Sequence, residues 1–259
     1  MDDFGLVSII TPTWNCASFI EETIHSVQAQ TYSNWEMIIV DDCSTDGTYE
    51  KIKGILESDV RIKYFCNDDN SGAARTRNYA LRLAQGKWIA FLDSDDLWDA
   101  CKLEKQLQFM ISNQIDFSYT KYEEIDEKSN RCRVIVGGPR KITKAGMYAY
   151  CWPGCLTVMY NREKVGVIQI DDIKKNNDYA MWLKIVQKAD CYLLDEILAY
   201  YRKRTGSISN HSYFKLIQWH YKLFREADKR NILQACILTL GNLFFGFAKK
   251  MLYVKRRGS

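Results

Sequence analysis

Four polar residues stand directly behind a hydrophobic run early in the chain. Residues 93–96 read Asp-Ser-Asp-Asp, and the apolar run before them covers residues 88–92. A buried strand that delivers clustered carboxylates at its C-terminal end suits a hard divalent cation, because Mg²⁺ and Mn²⁺ prefer oxygen ligands. The alternative is a solvated acidic turn in which Asp96 or Asp99 caps the next helix.

Three upstream segments favour the cation site, since each sets polar residues at a strand or helix end. Residues 7–15 run from a β-branched stretch through a polar loop toward an apolar-periodic segment, which predicts strand, loop and helix. Residues 37–47 end a second strand in two carboxylates, and residues 70–78 open a small-residue helix that Gly86 ends. This alternation is typical of a doubly wound nucleotide-binding sheet, whose ligands bind outside the carboxyl ends of the strands.

Together these segments resemble the inverting glycosyltransferases of family 2, which have the GT-A fold. The similarity covers roughly residues 5–210 and is specific because five motifs occur in the right order. The matching stretches are ITPTWN at 10–15, VDDCSTDGT at 40–48, NSGAARTRN at 70–78, FLDSDD at 91–96 and NDYAMWL at 177–183. Among family members the chain is most similar to short bacterial enzymes that build O-antigen or capsule repeat units on a lipid diphosphate carrier.

The resemblance implies an α/β fold with a Rossmann-like, doubly wound mixed sheet and helices on both faces. Residues 1–210 would form the catalytic domain that binds a nucleotide sugar, and residues 211–259 a helical, basic tail. In this family the first loop contacts the nucleotide, a paired Asp reads the uracil imide N–H, and the Arg of the small-residue helix lies near the nucleotide. The residues implied at the nucleotide are Thr11, Pro12, Thr13, Asn15, Asp41 or Asp42, Arg77, Asp93 and Ser94.

The resemblance also implies the reacting groups. In the acidic motif Asp93 faces the ribose and Asp95 binds Mn²⁺ or Mg²⁺, with Asp93 as a possible second ligand. The catalytic base corresponds to Asp178, although this chain has Asn177 where many relatives have Glu. The alternative for Asp178 is a helix cap, and Asp171 or Asp172 would be the next candidates for the base.

A second departure from the family lies at residues 201–207. Relatives often place a His after the Tyr-Arg pair, where it can join the metal, whereas here Arg204 stands near that position. We therefore expect Arg202 or Arg204 to hold the diphosphate as a cation. His211 is the alternative metal ligand, and a surface or core role for it is the simpler interpretation.

Two further segments have open interpretations. Residues 150–155 contain Trp152 and a Pro-Gly turn, so they could form a wall for a sugar or a core Trp under a loop. Residues 121–146 are polar and basic, which predicts an exposed or mobile loop that could close over the donor.

Composition narrows the protein class. At 259 residues the chain can bury one large core with a small appendage. Nine Cys residues show no metal-binding spacing, and the acidic start at residues 2–3 does not resemble a signal peptide. Free thiols in a reducing cytoplasm are the expectation.

The C-terminal region combines positive charge with apolar residues. Residues 202–259 hold 13 basic and 2 acidic side chains, and the apolar stretch at 232–247 precedes five of the basic ones. This pattern suits a helix lying on the anionic inner face of the cytoplasmic membrane, since the stretch is short and polar for a span. The alternative is a helix packed on the catalytic domain. Nucleic acid is not expected as a partner, because no recognition motif accompanies the charge.

The expected reaction is metal-dependent, inverting transfer of a hexose to a sugar hydroxyl of a polyprenyl-diphosphate-linked acceptor, which forms a β-linkage. UDP-glucose is the leading donor, then UDP-galactose and the UDP-N-acetylhexosamines. One alternative is a nucleotidyltransferase, which would normally carry a Gly-rich basic first loop that residues 11–15 lack. The other is an inactive membrane-bound binding module, against which the retained carboxylates argue.

Overall fold

The computed structural model describes residues 3–173, 175–204 and 213–256. The strands are β1 (Val7–Thr13), β2 (Trp35–Asp41), β3 (Ile62–Cys66), β4 (Trp88–Phe91), β5 (Leu97–Trp98), β6 (Phe117–Ile125), β7 (Arg131–Val136), β8 (Lys141–Ile142), β9 (Met159–Asn161), β10 (Cys191–Arg202) and β11 (Val254–Arg256). The helices are α1 (Ile20–Gln28), α2 (Thr48–Ser58), α3 (Ala73–Leu83), α4 (Lys102–Ser112), α5 (Lys144–Ala149), α6 (Arg162–Val165), α7 (Asn177–Ile185), α8 (Tyr213–Lys222) and α9 (Ile232–Leu252). A 3₁₀ turn at Cys155–Thr157 precedes β9, and a π-helical turn at Leu223–Ala227 follows α8.

The first four strands form a parallel unit in the order β3-β2-β1-β4. Thr13 at the end of β1 pairs in register with Asp41 at the end of β2, and Ile10 pairs with Phe91 on β4. The carboxyl ends of these strands therefore meet at one edge of the sheet. Helices cover both faces of a parallel sheet, which explains the continuous apolar runs in its strands.

The remaining strands make the sheet mixed. β4 pairs antiparallel with β9, β9 with β6, β6 with β7 and β7 with β11, while β10 runs parallel to β6. The predicted α/β doubly wound mixed sheet is confirmed. The loop predicted at residues 121–146 is wrong, because this segment supplies most of β6, β7 and β8. Its charged residues resembled a loop, but the segment is extended because β6 pairs with β10 and β7 pairs with β6 and β11.

Two hydrophobic cores lie on opposite faces of the sheet. On one face Ile20, Ile24 and Leu107 from α1 and α4 are fully buried. On the other face Trp182 of α7 is fully buried, and its ring centroid lies 5.2 Å from that of Phe91 on β4 in an edge-to-face contact. Burying an aromatic side chain stabilises a fold by about 1.5–3 kcal/mol, so Trp182 fixes α7 against the end of β4.

The C-terminal segment is part of the same fold. Asn242 on the inner side of α9 donates to the Tyr148 carbonyl (3.0 Å), and Val254 of β11 pairs with Val136 of β7. The chain therefore leaves the sheet, forms α9 and returns to the sheet. Residues 211–259 were predicted as a helical, basic tail, and the described part of this segment packs on the domain and extends its sheet. The nine cysteines are free thiols.

The outer side of α9 is apolar and exposed. An 18-residue window of the helix has a mean hydropathy of 1.5, and among the described residues α9 is the one helix long and apolar enough to cross a membrane by length and composition. Its large apolar side chains with more than half of their surface exposed are Ile232, Leu233, Ile237, Leu240, Phe244, Phe247, Met251 and Leu252. Isolated exposed apolar residues are ordinary, but a contiguous row of this length marks an interaction surface.

Candidate active site

The loop after β1 is fastened to the loop after β2. The backbone N–H of Asn15 donates to Ser44 Oγ, and Asn15 Oδ1 accepts from the backbone N–H of Thr45, both at 2.8 Å. Asn15 has a φ of 47°, a left-handed conformation that Asn adopts more readily than most residues. The buried hydroxyls of Thr11 and Thr13 have no described hydrogen-bond partner. The segment predicted to contact the nucleotide, which includes the half-buried Pro12, is therefore held in place by hydrogen bonds. The hydroxyls of Thr11 and Thr13 lie buried within it.

Asp42 holds the loop that leads into α3. Its carboxylate accepts the backbone N–H groups of Ser71 (2.8 Å) and Gly72 (2.7 Å), and the side-chain amide of Asn67 (2.7 Å). Burial raises the pKa of Asp42, but these donors outweigh it and hold the pKa below its ordinary value. Asp42 therefore organises the protein at this position.

Asp41 can accept more hydrogen bonds from a ligand than Asp42 can. Each of its oxygens accepts one hydrogen bond, from the Ser44 backbone N–H (2.8 Å) and from the Tyr64 hydroxyl (2.7 Å). A carboxylate oxygen can accept two, so each keeps an unused lone pair. Sequence reasoning missed Tyr64 and Asn67, although the run at 62–66 reads as a third strand. β3 pairs parallel with β2, and the Asn67 backbone N–H just after β3 donates to the Asp41 carbonyl (2.8 Å), which sets Tyr64 and Asn67 beside Asp41 and Asp42.

The carboxylates of the acidic turn after β4 differ in their exposure to solvent. The side chains of Asp93 and Asp95 are 33% and 26% exposed, whereas Asp96 is buried and accepts the backbone N–H of Arg202 (2.8 Å). Ser94 is buried, and its carbonyl accepts the Thr23 hydroxyl (3.0 Å). Burial raises the pKa of Asp95, and the negative charge of Asp93 raises it further. Two carboxylates that oppose each other's ionisation in this way suit a cation.

The donor set of Asp93 and Asp95 fits Mn²⁺ or Mg²⁺. Within the described residues, no three His, Cys, Asp or Glu side chains are grouped so that they could hold a metal. Mg²⁺ is often bound by one or two carboxylates together with substrate phosphates, so two carboxylates are sufficient. His211, the alternative ligand, lies outside the described residues.

Arg77 connects the acidic turn to α7. Its guanidinium contacts Asp93 Oδ1 at 2.5 Å through Nη2 and Asn177 Oδ1 at 2.9 Å through Nη1. Arg77 is buried, so this bridge is shielded from water. One side chain from α3 therefore holds the predicted ribose contact and the start of the helix that carries the predicted base.

Asp178 lies in the first turn of α7 and is half-buried. One of its oxygens accepts the backbone N–H of Tyr179 (2.8 Å), and no described residue donates to the other. Burial raises the pKa of Asp178, and the positive charge of Arg77 only partly opposes this. The N-cap position belongs to Asn176, so neither Asp178 nor Asn177 caps the helix in the usual way. A carboxylate with a raised pKa and a free oxygen can accept a proton from a bound hydroxyl.

The substitute base candidates are engaged in ion pairs. Asp171 pairs with Lys184 at 2.7 Å and Asp172 with Arg75 at 2.8 Å. In the Asp172 pair both side chains are mostly exposed. Asp178 is therefore the carboxylate of this group that the structure leaves available for chemistry.

Arg202 and Arg204 were predicted together as diphosphate contacts, and the structure separates them. The Arg202 side chain is fully buried, and it donates to the Asp95 carbonyl (2.7 Å), Ser129 Oγ (2.8 Å) and Glu22 (2.7 Å). All three of its nitrogens are thus used inside the protein, which argues against a ligand contact. The Arg204 side chain is 33% exposed and lies 3.1 Å from Asp95 Oδ2. Of these two arginines, only Arg204 is accessible to a diphosphate.

Trp152 does not present its ring to a ligand. The residue is buried, and its indole N–H donates to the Gly146 carbonyl (2.9 Å). The core interpretation of this Trp is therefore favoured over a sugar-binding wall.

The fold is that of the GT-A glycosyltransferases. The model of the family described as Glycosyl transferase family 2 matches residues 8–181, and the chain belongs to this family. The predicted resemblance is confirmed.

Bacterial relatives align over most of their length. The putative teichuronic acid biosynthesis glycosyltransferase TuaG of Bacillus subtilis (strain 168) is 41% identical over 231 residues, which is 89% of this chain and 91% of TuaG. The Escherichia coli enzyme WfgD, named UDP-Glc:alpha-D-GlcNAc-diphosphoundecaprenol beta-1,3-glucosyltransferase, is 41% identical over 225 residues, or 85% of each chain.

Solved structures share the fold at low sequence identity. S. aureus TarS 1-349, in complex with UDP-GlcNAc, superposes with a TM-score of 0.70 and 22% identity over 93% of this chain and 72% of its own. The mannosyltransferase PcManGT from Pyrobaculum calidifontis, in complex with GDP-Man and Mn²⁺, has a TM-score of 0.66 and 18% identity over 98% of this chain and 76% of its own.

Proposed function

We propose that this protein is an inverting, metal-dependent hexosyltransferase that moves glucose from UDP-glucose to a sugar hydroxyl of a lipid-diphosphate-linked acceptor. The new bond would be β, and UDP-galactose ranks second as donor. The observation that carries this proposal is the Arg77 bridge, which sets Asp93 of the acidic turn beside the helix of Asp178. The relation to WfgD supports the donor and acceptor classes, because that enzyme is named for both.

The nucleotide would lie across the ends of β1 and β2. We assign the uracil imide N–H to Asp41, whose oxygens keep unused lone pairs, and leave Asp42 to hold its own loop. Trp14 follows the register pair of Thr13 and Asp41 and is 55% exposed, so its ring is available to stack on the base. Asn15 fixes the backbone of this wall.

Residues beyond the nucleotide would handle the developing charge. As the bond between the sugar C1 and the β-phosphate oxygen breaks, negative charge grows on the phosphate, and Arg204 can stabilise it there. A divalent cation held by Asp95 and Asp93 would supply Lewis-acid stabilisation of the same charge. The Asp95–Arg204 contact keeps the guanidinium beside this position before the ligand arrives.

Asp178 would complete the reaction on the opposite side of the sugar. The acceptor oxygen forms its bond to C1 while its proton passes to the free carboxylate oxygen of Asp178. Attack from the side opposite the leaving group inverts the anomeric centre, so no covalent sugar–enzyme intermediate is needed. Burial of Asp178, which raises its pKa, makes the carboxylate a better proton acceptor than an exposed Asp.

The proposal is tested with a panel of nucleotide sugars and a synthetic α-GlcNAc-diphospholipid acceptor. We expect transfer from UDP-glucose, stimulation by Mn²⁺ or Mg²⁺, and a β-linked product by NMR. Transfer from another donor alone would overturn the glucose assignment. Release of pyrophosphate from a nucleoside triphosphate and a sugar phosphate would instead indicate a nucleotidyltransferase.

We further propose that the protein is peripheral on the inner face of the cytoplasmic membrane and docks through α9. The exposed apolar row lies beside the exposed cations Lys250, Lys255 and Arg256, which complement anionic lipid headgroups. Both ends of the helix are tied to the domain, through Arg230 with Tyr148 (2.8 Å) and through β11 with β7. A helix anchored in this way suits the interface plane better than a span.

Charge introduced on the outer side of α9 should release the protein from lipid. We expect the triple variant Leu240→Glu, Phe244→Glu, Phe247→Glu to lower the fraction that sediments with phosphatidylglycerol vesicles at least about tenfold, since each buried apolar side chain contributes about 1.5–3 kcal/mol. Val60→Glu is the matched control, because Val60 is 88% exposed but lies outside α9. Equal sedimentation of the triple variant and the control would mean that another surface meets the membrane.

A further inference from the structure

Lys249 belongs to the inner side of α9, although the next residue, Lys250, is exposed. Its ammonium donates to the Trp152 carbonyl (2.8 Å) and lies 5.3 Å from the centroid of the Tyr150 ring. Phe245, one turn earlier, meets the Trp152 ring at 6.3 Å. Gly246 approaches Tyr150 so closely that a Cβ there would lie 3.0 Å from the ring. These contacts fix Lys249 against residues 150–152.

The ammonium of Lys249 has no carboxylate partner among the described residues. Its hydrogen bond to the Trp152 carbonyl uses one of its three N–H donors. Burial lowers the pKa of Lys249. The hydroxyl of Tyr179, the residue after Asp178, donates to the Met147 carbonyl (2.7 Å), so the segment that holds Lys249 also contacts the start of α7. A half-buried cation without a counterion is costly unless an anion completes the site.

Lys249 lies on the domain side of α9, opposite the proposed membrane surface. The same helix presents Phe244 and Phe247 outward and directs Lys249 toward the Trp152 carbonyl. An acceptor whose lipid is in the membrane and whose hydroxyl reaches Asp178 has its diphosphate between those two points. Ammonium groups bind phosphate oxygens through charge-assisted hydrogen bonds.

We propose that Lys249 binds the diphosphate of the lipid-linked acceptor and thereby sets the acceptor sugar at Asp178. This inference rests on the proposed function and extends it, since α9 then contributes to substrate binding as well as to membrane contact. Lys249 is a positioning residue for the acceptor and has no part in binding the nucleotide.

The test compares Lys249→Met and Lys249→Arg in the full-length protein with two acceptors, α-GlcNAc-diphospholipid and an uncharged octyl α-GlcNAc. We expect Lys249→Met to raise KM for the diphosphate acceptor about 10–100-fold, the usual loss for a hydrogen bond to a charged group, with kcat changed much less. KM for octyl α-GlcNAc and the Kd for UDP should stay unchanged, and Lys249→Arg should restore most of the loss. Lys250→Met, which removes the same charge at the exposed neighbour, is the control for membrane attraction.

Four outcomes would overturn the inference. If Lys249→Met transfers sugar to the diphosphate acceptor at the wild-type rate and with an unchanged KM, the Lys249 contact is refuted and the proposed function still stands. An equal loss with both acceptors in Lys249→Met, or no rescue by Lys249→Arg, shows a packing role instead. If the wild-type protein transfers sugar to octyl α-GlcNAc but not to the diphosphate acceptor, the proposed acceptor class fails and the inference fails with it.

Discussion

Asp178→Asn is expected to lower sugar transfer by about 10²–10⁴-fold, the usual contribution of a positioned general base. The substitution keeps the size of the side chain and its carbonyl oxygen, which can still accept the Tyr179 N–H. The amide cannot take the acceptor proton. UDP affinity should be nearly unchanged, because the proposed base faces the acceptor.

Asp172→Asn is the matched control for this prediction. Asp172 lies near α7 in the sequence, but its carboxylate is exposed and paired with Arg75. Loss of an exposed ion pair costs about 0–1 kcal/mol of stability, so this variant should fold and transfer sugar normally. Near-normal transfer by Asp178→Asn would assign the base to another carboxylate. A lowered melting temperature with lost helicity would show instead that Asp178 is structural.

The pH dependence of transfer tests the role of Asp178 independently. Burial raises the pKa of Asp178 above that of an ordinary Asp. The base must be ionised to accept a proton, so kcat/KM should fall as the pH drops through this raised pKa. The residual activity of Asp178→Asn should lack that acid limb. Persistence of the limb in the variant would assign it to a different group.

The position of the site was predictable because parallel strands impose it. Carboxylates that follow β2 and β4 must meet at one edge of the sheet, since both strands are parallel to β1 between them. The motif order therefore predicted that Asp41 and Asp93 share an edge. The roles assigned to these residues stay predictions until they are tested.

Other features depend on tertiary contacts that no local pattern encodes. Arg202 and Arg204 are two residues apart in a basic run, yet one guanidinium is enclosed by Glu22 and Ser129 and the other reaches the site. Partners so distant in sequence cannot be identified from periodicity. The charged hairpin at 121–136 was mistaken for a loop for a related reason, because its strands are defined by pairing with β10 and β11.

The sequence indicates which side of α9 faces the domain, although its mean hydropathy does not. Ala235, Thr239, Asn242 and Gly246 recur at spacings of three and four residues, which places these small or polar residues on one side of the helix. That side contacts the domain, and the larger apolar residues face outward. The pattern is the reverse of an ordinary surface helix. It is consistent with an apolar solvent outside the protein.

Asp95→Ala is expected to lower transfer at least about 10²-fold and to abolish the response to added Mn²⁺ or Mg²⁺. Asp95 and Asp93 are the exposed carboxylates of the acidic turn, and a bound metal is worth several kcal/mol of stabilisation of the leaving group's charge. Asp69→Ala removes the same charge from an exposed acid near the nucleotide loop and should keep both transfer and the metal response.

Calorimetry with UDP separates loss of the metal from damage to the nucleotide site. In the wild-type protein we expect Mn²⁺ to tighten UDP binding, because the diphosphate supplies the metal's remaining ligands. In Asp95→Ala the metal-free affinity should not fall, since Arg204 loses its ion-pair partner and stays free for the diphosphate. Added Mn²⁺ should then change nothing. If Mn²⁺ still tightens UDP binding and stimulates transfer in Asp95→Ala, Asp95 is not the metal ligand. Its role is then to hold Arg204 through their ion pair.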